Sequence, residues 1–431
     1  PEGWYAAARA AQLGARVAWV LQGLPGQRWA LSLPGAAPPM PHHQALQRAQ
    51  TLAEALTRDN VPQLMAQGVD VIAAQGQVVG DRPLTVTTPD RRLTARALLL
   101  ATGSRAQVPV VPDLAAFQPI TPAALRQQSS LPPAAVVMGG TPAGITLCQW
   151  LRRWQVPVTL IVPRAALLPA ADPAVNQWLT AQLRATGVDL RVGHPVTAIA
   201  ATDAAIQQQL KQGAALVIDA PPVPHLTGLG LEPWLPSDRP PAVNAFLQTV
   251  HPRIFACGSV LGGLDDPAIA RQEAHCAVHN ALFWPQQRID YRVIPYGLAT
   301  TPLLAQVGLT TPQARQRYRA AAVLVARQSW YDNPKAQWQD ATVGFCQLIA
   351  HRNGQLLGVH GVGPAADEWV QTAALLMAQR TPWWQLADAA TQPHTFTEIL
   401  RQAAQQWAGD RWRPGRWRRD WAENWCNWRR N

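Results

Sequence analysis

Residues 135–162 read AVVMGGTPAGITLCQWLRRWQVPVTLIV. Ala135, Val136, Val137 and Met138 form a short, unbroken apolar run, the pattern of a strand covered on both faces. Gly139-Gly140-Thr141-Pro142-Ala143-Gly144 follows as a tight turn. Residues 145–154 have helical character, and 158–162 are apolar again. Strand, glycine-rich turn, helix, strand is a βαβ unit. The start of the chain echoes it: Pro1-Glu2-Gly3, an Ala-rich helix over 6–14, and an apolar strand over 17–20 bounded by Gly23. Two such units predict two nucleotide-binding domains of related design.

Working outward, residues 24–41 are rich in Pro and Gly and predict a loop. A helix is expected over about 44–67. Strands are expected over 69–79 and 84–88, with Gly80-Asp81 as the turn between them. Residues 97–100 make another apolar strand, ending in Ala101-Thr102-Gly103. From Tyr291 the character changes. Strand-like runs at 321–326, 344–350 and 356–362 precede a helical stretch over 368–379, which predicts an antiparallel sheet with helices.

The chain has 431 residues, of which 48% are hydrophobic and 15% charged. That supports a real core and excludes a disordered chain. No run of about 18 apolar residues predicts a membrane span, and no signal peptide is visible. The chain starts at Pro1 rather than a methionine, which we read as processing or truncation. The formal net charge is +11, carried by Arg; the lysines are Lys211 and Lys335. No basic stripe accompanies a nucleic-acid-binding motif in the body of the chain, so no nucleic-acid partner is expected. Cysteines stand at 148, 257, 276, 346 and 426, without metal-ligand or redox spacing. They predict reduced thiols in a cytoplasmic setting.

With these segments in order, the chain resembles the pyridine nucleotide-disulfide oxidoreductase family, of the dihydrolipoamide dehydrogenase and mercuric reductase type. Residues 3–14 are similar to the helix after the FAD phosphate loop, with Gly3 as the last glycine of that loop. Residues 99–105, containing Ala101, Thr102 and Gly103, resemble the family's ATG motif. Gly139, Gly140 and Gly144 lie where its NAD(P) phosphate loop lies. Residues 228–232 resemble the strand entry after the NAD(P) domain. Residues 254–260, with Gly258 and Ser259, resemble the second FAD motif, and residues 307–310 and 357–363 the interface domain. The resemblance implies an α/β fold with two Rossmann-like FAD- and NAD(P)-binding domains plus a C-terminal α+β dimerisation domain. The expected boundaries are 1–115 for the first, N-terminally truncated part of the FAD domain, 116–232 for the NAD(P)-like domain, 233–288 for the second FAD part, 289–405 for dimerisation and 406–431 for a tail. It also implies FAD, with NAD(P)H less expected, a homodimer, and a small-molecule acceptor if the protein is active.

The residues that carry the family's chemistry differ. Its relay passes electrons from NAD(P)H through FAD to a Cys-x-x-x-x-Cys disulfide, which needs two sulfurs within bonding reach. The matching stretch here, 26–35, contains no cysteine. Leu21 and Val162 stand where an acid would meet the adenosine ribose. Thr141 replaces the middle glycine of the second loop, where a side chain is expected to crowd the pyrophosphate. Ser259 replaces an Asp, and the second ATG-like motif has become Asp219-Ala220-Pro221. The family's His-Pro-Thr signature appears as Pro393-His394-Thr395, with Glu398 following. The resemblance makes His394 and Glu398 the candidate acid–base pair.

Trp417, Trp421, Trp425 and Trp428 are spaced four, four and three in the tail, one face of a helix. From residue 401 onward eight Arg face three acids. Such a stripe is expected to pack on the protein's own body; contact with a partner or a membrane surface is the alternative. Three functions stay open: a flavin-linked oxidoreductase that works without a disulfide, a catalytically silent dimeric scaffold, and a peripheral membrane protein acting through its tail.

Overall fold

The computed structural model describes residues 2–21, 42–58, 60–108, 116–194, 203–411 and 417–430. They fall into two compact units, one of 1–167 with 183–290, the other of 168–182 with 291–431.

The first unit opens with α1 (Glu2–Gln12) and β1 (Ala18–Val20). Next come α2 (His42–Thr57) and α3 (Asn60–Ala66), which replace the single helix expected over 44–67. Pro62 has no N–H to give to a preceding turn, so it suits the first turn of a new helix. The strand expected over 69–79 is likewise two, β2 (Asp70–Ile72) and β3 (Gln77–Asp81). Between them Gly76 passes so close to Val20 that a Cβ would sit 3.0 Å from its Cγ1. β3 continues through Gly80-Asp81, where a turn was expected, and pairs antiparallel with β4 (Leu84–Thr87), which pairs with β5 (Arg92–Ala95). The loop expected at 24–41 lies outside the described residues.

β6 (Leu98–Leu100) and β7 (Ser104–Arg105) flank the ATG-like turn, and α4 (Pro122–Arg126) follows. The βαβ segment forms as its sequence predicts: β8 (Ala135–Gly139), α5 (Pro142–Arg153) and β9 (Val158–Val162). Both strands are buried along their whole length, the reason their sequences do not alternate. α6 (Pro173–Ala185) belongs mostly to the second unit; β10 (Val188–Val192), α7 (Ala204–Lys211), β11 (Ala215–Asp219) and β12 (Val223–Pro224) return to the first. The four long strands make a parallel sheet in the order β10-β9-β8-β11, the 3-2-1-4 order of a doubly wound nucleotide fold. β13 (Ile254–Ala256) pairs parallel with β6, and β1 with β2, as two separate two-stranded sheets. α8 (Pro267–Leu282) packs on α1 through Ala6, Ala274 and Ala277; small side chains let the two helices approach closely.

The second unit is built on an antiparallel sheet in the order β14-β15-β18-β17-β16. The strands are β14 (Tyr296–Leu298), β15 (Leu303–Gly308), β16 (Val323–Ser329), β17 (Phe345–His351) and β18 (Leu356–Gly363). The helices are α9 (Thr311–Arg317), α10 (Pro334–Trp338), α11 (Ala366–Ala378), α12 (Trp383–Asp388), α13 (Glu398–Arg411) and α14 (Trp417–Arg430). Trp330, Trp369 and Trp383 are fully buried. The Trp330 indole N–H donates to Val362 O at 2.8 Å, so this bulky ring is held by a hydrogen bond as well as by packing.

The tail departs from expectation. Trp421, Trp425 and Trp428 stand 61%, 46% and 68% exposed, so among the described residues this stripe does not pack on the body. The three rings instead touch each other, with centroids 5.8 and 5.1 Å apart. The Trp417 side chain lies outside the described residues. No helix among the described residues is long and apolar enough to cross a membrane.

Candidate functional site

Parallel sheets place ligands beyond the carboxyl ends of their strands. In the first unit β6 and β13 lie side by side, Leu100 opposite Ala256, and the Cys257 N–H donates to Leu100 O at 3.0 Å. Ala101-Thr102-Gly103 and Gly258-Ser259 therefore leave the sheet together, and the sequence-predicted residues of two distant segments meet. Gly103 and Gly258 take φ of +73° and +79°, a region that disfavours a side chain. The Gly103 carbonyl accepts from His225 N at 3.0 Å, which fixes the turn. The Thr102 hydroxyl is buried with no hydrogen-bond partner among the described residues.

Two acids line this end of the sheet. Glu273 of α8 accepts from the Gly258 N–H at 2.6 Å, and the Ser259 hydroxyl donates to Glu2 at 3.4 Å. All three side chains are buried. Burial, and then the charges of Glu273 and Glu2, push the Cys257 thiol well above its usual range. Gly3 lies in α1, where a Cβ would stand 2.6 Å from the Trp19 indole nitrogen. Sequence reading had not singled out Glu2 or Glu273; an acid inside an apolar helical run was the available signal.

The second cradle lies where β8 hands over to α5. Thr141 caps the helix, its hydroxyl accepting from Ala143 N at 3.2 Å, and Pro142 occupies the first turn, where no N–H is needed. β11 pairs with β8 so that Asp219 stands opposite Gly139. The Asp219 carboxylate turns into the cradle. It accepts from the Thr141 N–H at 2.7 Å and from the Thr141 hydroxyl at 2.6 Å, and the Gly144 N–H also donates to it.

Asp219 is 3% exposed. Burial pushes its pKa up to about 6, against the hydrogen bonds from Thr141 and Gly144 and the charge of Arg126. Arg126, in α4, is itself lowered to about 10 by burial, with Cys148 and Asp219 opposing that. Its Nη2 donates to Thr146 Oγ1 at 2.8 Å. Thr141, expected only to crowd a pyrophosphate, is thus a helix cap and a donor to Asp219.

His394 and Glu398 meet, though not through the imidazole. The His394 backbone N–H donates to Glu398 Oε2 at 3.2 Å, while Glu398 Oε1 accepts from Arg401 Nη2 at 2.7 Å. The exposed His394 ring lies against Trp338, with centroids 4.8 Å apart, on backbone of positive φ, +60°. A more enclosed histidine is His360. It is fully buried, with Nε2 2.8 Å from Leu309 O and Nδ1 without a partner among the described residues.

Cys148, Cys257, Cys276 and Cys346 are free and buried, and Cys426 is free and exposed. Burial raises the pKa of each of the four buried thiols, which opposes thiolate formation. The 26–35 segment lies outside the described residues. No group of three or more His, Cys, Asp and Glu among the described residues is arranged to hold a metal.

The sequence matches the family described as pyridine nucleotide-disulphide oxidoreductase over residues 1–281, and its dimerisation domain over 294–404. It is 25% identical over 383 residues to a dihydrolipoyl dehydrogenase of Bacillus subtilis, covering 83% of this chain and 80% of that protein. A mercuric reductase of Staphylococcus aureus is 25% identical over 350 residues, which is 78% of this chain and 63% of the reductase. Among solved structures, LpdA from Mycobacterium tuberculosis superposes with a TM-score of 0.80 at 21% identity, covering 94% of this chain and 97% of the other.

Proposed function

Since the chain belongs to the pyridine nucleotide-disulphide oxidoreductase family, whose members are FAD-dependent and use NAD(P)H, we propose that it is a flavin-linked oxidoreductase that reduces a small acceptor without a dithiol relay. The observation that carries this reading is the Thr102 hydroxyl, buried and without a partner among the described residues, at the junction of β6 and β13. A buried hydroxyl left unbonded is costly, so its presence points to a ligand. Gly103, at positive φ beside it, suits close approach of a cofactor, while Gly258 makes room for the Glu2 side chain. Ser259, Glu2 and Glu273 present oxygen acceptors there, which match the hydroxyl groups of a ribityl chain.

Thr102, Gly103, Gly258 and Ser259 would hold FAD, with Ala101 shaping the turn and Gly3 letting α1 approach. When bound, FAD supplies hydride and one-electron chemistry that needs no protein sulfur. The chain's own residues would orient it and keep water from its ring. Cys148, Cys257, Cys276 and Cys346, buried with raised pKa, are poor candidates for an external thiol exchange. The exposed His394 is the candidate proton donor. Glu398, held by Arg401, orders its backbone. We assign the 289–405 region to homodimer formation on the strength of the dimerisation-domain match, and the exposed Trp421, Trp425 and Trp428 to contact with a membrane surface.

Asp219 favours a second reading, a silent dimeric scaffold, because it fills the cradle where a nicotinamide dinucleotide would enter. The visible absorption spectrum of the purified protein separates the two. The oxidoreductase reading expects a yellow protein, or one that takes up added FAD and is bleached by a reductant. A colourless protein that ignores FAD sinks it. Failure to sediment with anionic vesicles would remove the membrane assignment.

A further inference from the structure

A glycine-rich turn leading into a helix is a ready anion site, because its free N–H groups and the helix dipole both favour negative charge. In this chain the anion is already present. We propose that the Asp219 carboxylate is a built-in occupant of the second dinucleotide cradle, and that it decides whether the diphosphate of a nucleotide can enter.

Three observations carry this. First, the donors that would meet a phosphate are used: the Thr141 N–H, the Thr141 hydroxyl and the Gly144 N–H all bond Asp219. Second, the glycines that make the segment look nucleotide-binding are accounted for by Asp219 itself. A Cβ on Gly144 would overlap Asp219 Oδ2, and one on Gly139, at φ +143°, would overlap the Asp219 carbonyl oxygen. Gly140 faces Val162 instead, where a Cβ would stand 2.8 Å from Cγ1. Third, the site has a cation nearby, since the half-buried Arg126 acts on Asp219 electrostatically. A diphosphate entering this cradle would meet a carboxylate in place of free donors, and like charges at close range repel. To bind, a dinucleotide must displace Asp219 and take over its three donors.

The inference does not depend on flavin in the first site, and its test reads phosphate binding rather than turnover. Full-length wild type, Asp219→Ala and Asp219→Asn are compared at neutral pH, with folding checked by circular dichroism. Pyrophosphate binding is followed by thermal shift and NADPH binding by nicotinamide fluorescence. Asp219→Ala vacates the cradle and removes the carboxylate that would repel a phosphate. It is expected to bind both probes at least roughly tenfold more tightly than wild type, and pyrophosphate is expected to raise its thermal stability more than that of wild type. Asp219→Asn removes the charge but keeps the bulk, so a smaller gain is expected. If Asp219→Ala does not fold, Asp219→Asn decides by gaining affinity or not. Folded variants that bind pyrophosphate and NADPH no better than wild type would overturn the proposal. A colourless protein whose Asp219→Ala form gains pyrophosphate affinity would refute the flavin reading and leave this one standing.

Discussion

Replacing Thr102 by Val keeps the shape of the side chain and removes the hydroxyl. That hydroxyl is buried without a partner among the described residues. A desolvated, unbonded polar group costs about 1–3 kcal/mol, while a satisfied hydrogen bond contributes about 0.5–1.5 kcal/mol. Thr102→Val should therefore stabilise the flavin-free protein by about 1–2 kcal/mol. It should also weaken FAD by about 1 kcal/mol, or roughly fivefold, because the methyl group cannot bond the cofactor. Urea unfolding with and without FAD measures the first effect, and quenching of flavin fluorescence on titration measures the second. The opposite signs make the test sharp: a structural hydroxyl would lose stability on replacement and leave FAD binding alone. If Thr102→Val is less stable than wild type and binds FAD equally well, the hydroxyl has another partner and the flavin assignment loses its main support.

Three further outcomes follow from the same geometry. Asp219 has a folded-state pKa raised from 3.8 to about 6, so its contribution to stability is fully present below about pH 4 and is lost as pH rises through 6. Two units at 1.36 kcal/mol each come to about 3 kcal/mol. Against Asp219→Asn, which does not titrate, urea unfolding between pH 4 and 7 should reveal a decline of that order in wild type; parallel curves would refute it. Trp330→Phe removes the hydrogen bond to Val362 O and part of a fully buried ring. It should cost the second unit about 2–4 kcal/mol, measured by denaturation, and a loss below about 0.5 kcal/mol would contradict the packing described. A thiol reagent added to the native protein should label Cys426 rapidly, while Cys148, Cys257, Cys276 and Cys346 react after denaturant is added; rapid labelling of a second site would show an accessible thiol.

The sequence by itself determined the order of elements, because apolar runs, glycine turns and a helical repeat are local signals. β8, α5 and β9 stand where residues 135–162 placed them, and three strands of the antiparallel sheet after Tyr291, β16, β17 and β18, were legible in the same way, whereas β14 and β15 were not. The absence of cysteine from 26–35 was also plain from the residues. What each glycine and polar side chain does was decided by partners far away in the chain. Gly139 and Gly144 read as a phosphate cradle until β11 pairs with β8 and brings Asp219 over them from 75 or more residues away. Glu2 reaches Ser259 across 257 residues, and Glu398 meets the backbone rather than the ring of His394. A local pattern fixes local geometry; whether a cradle is open or filled depends on which strand the sheet sets beside it, a contact no short-range signal encodes.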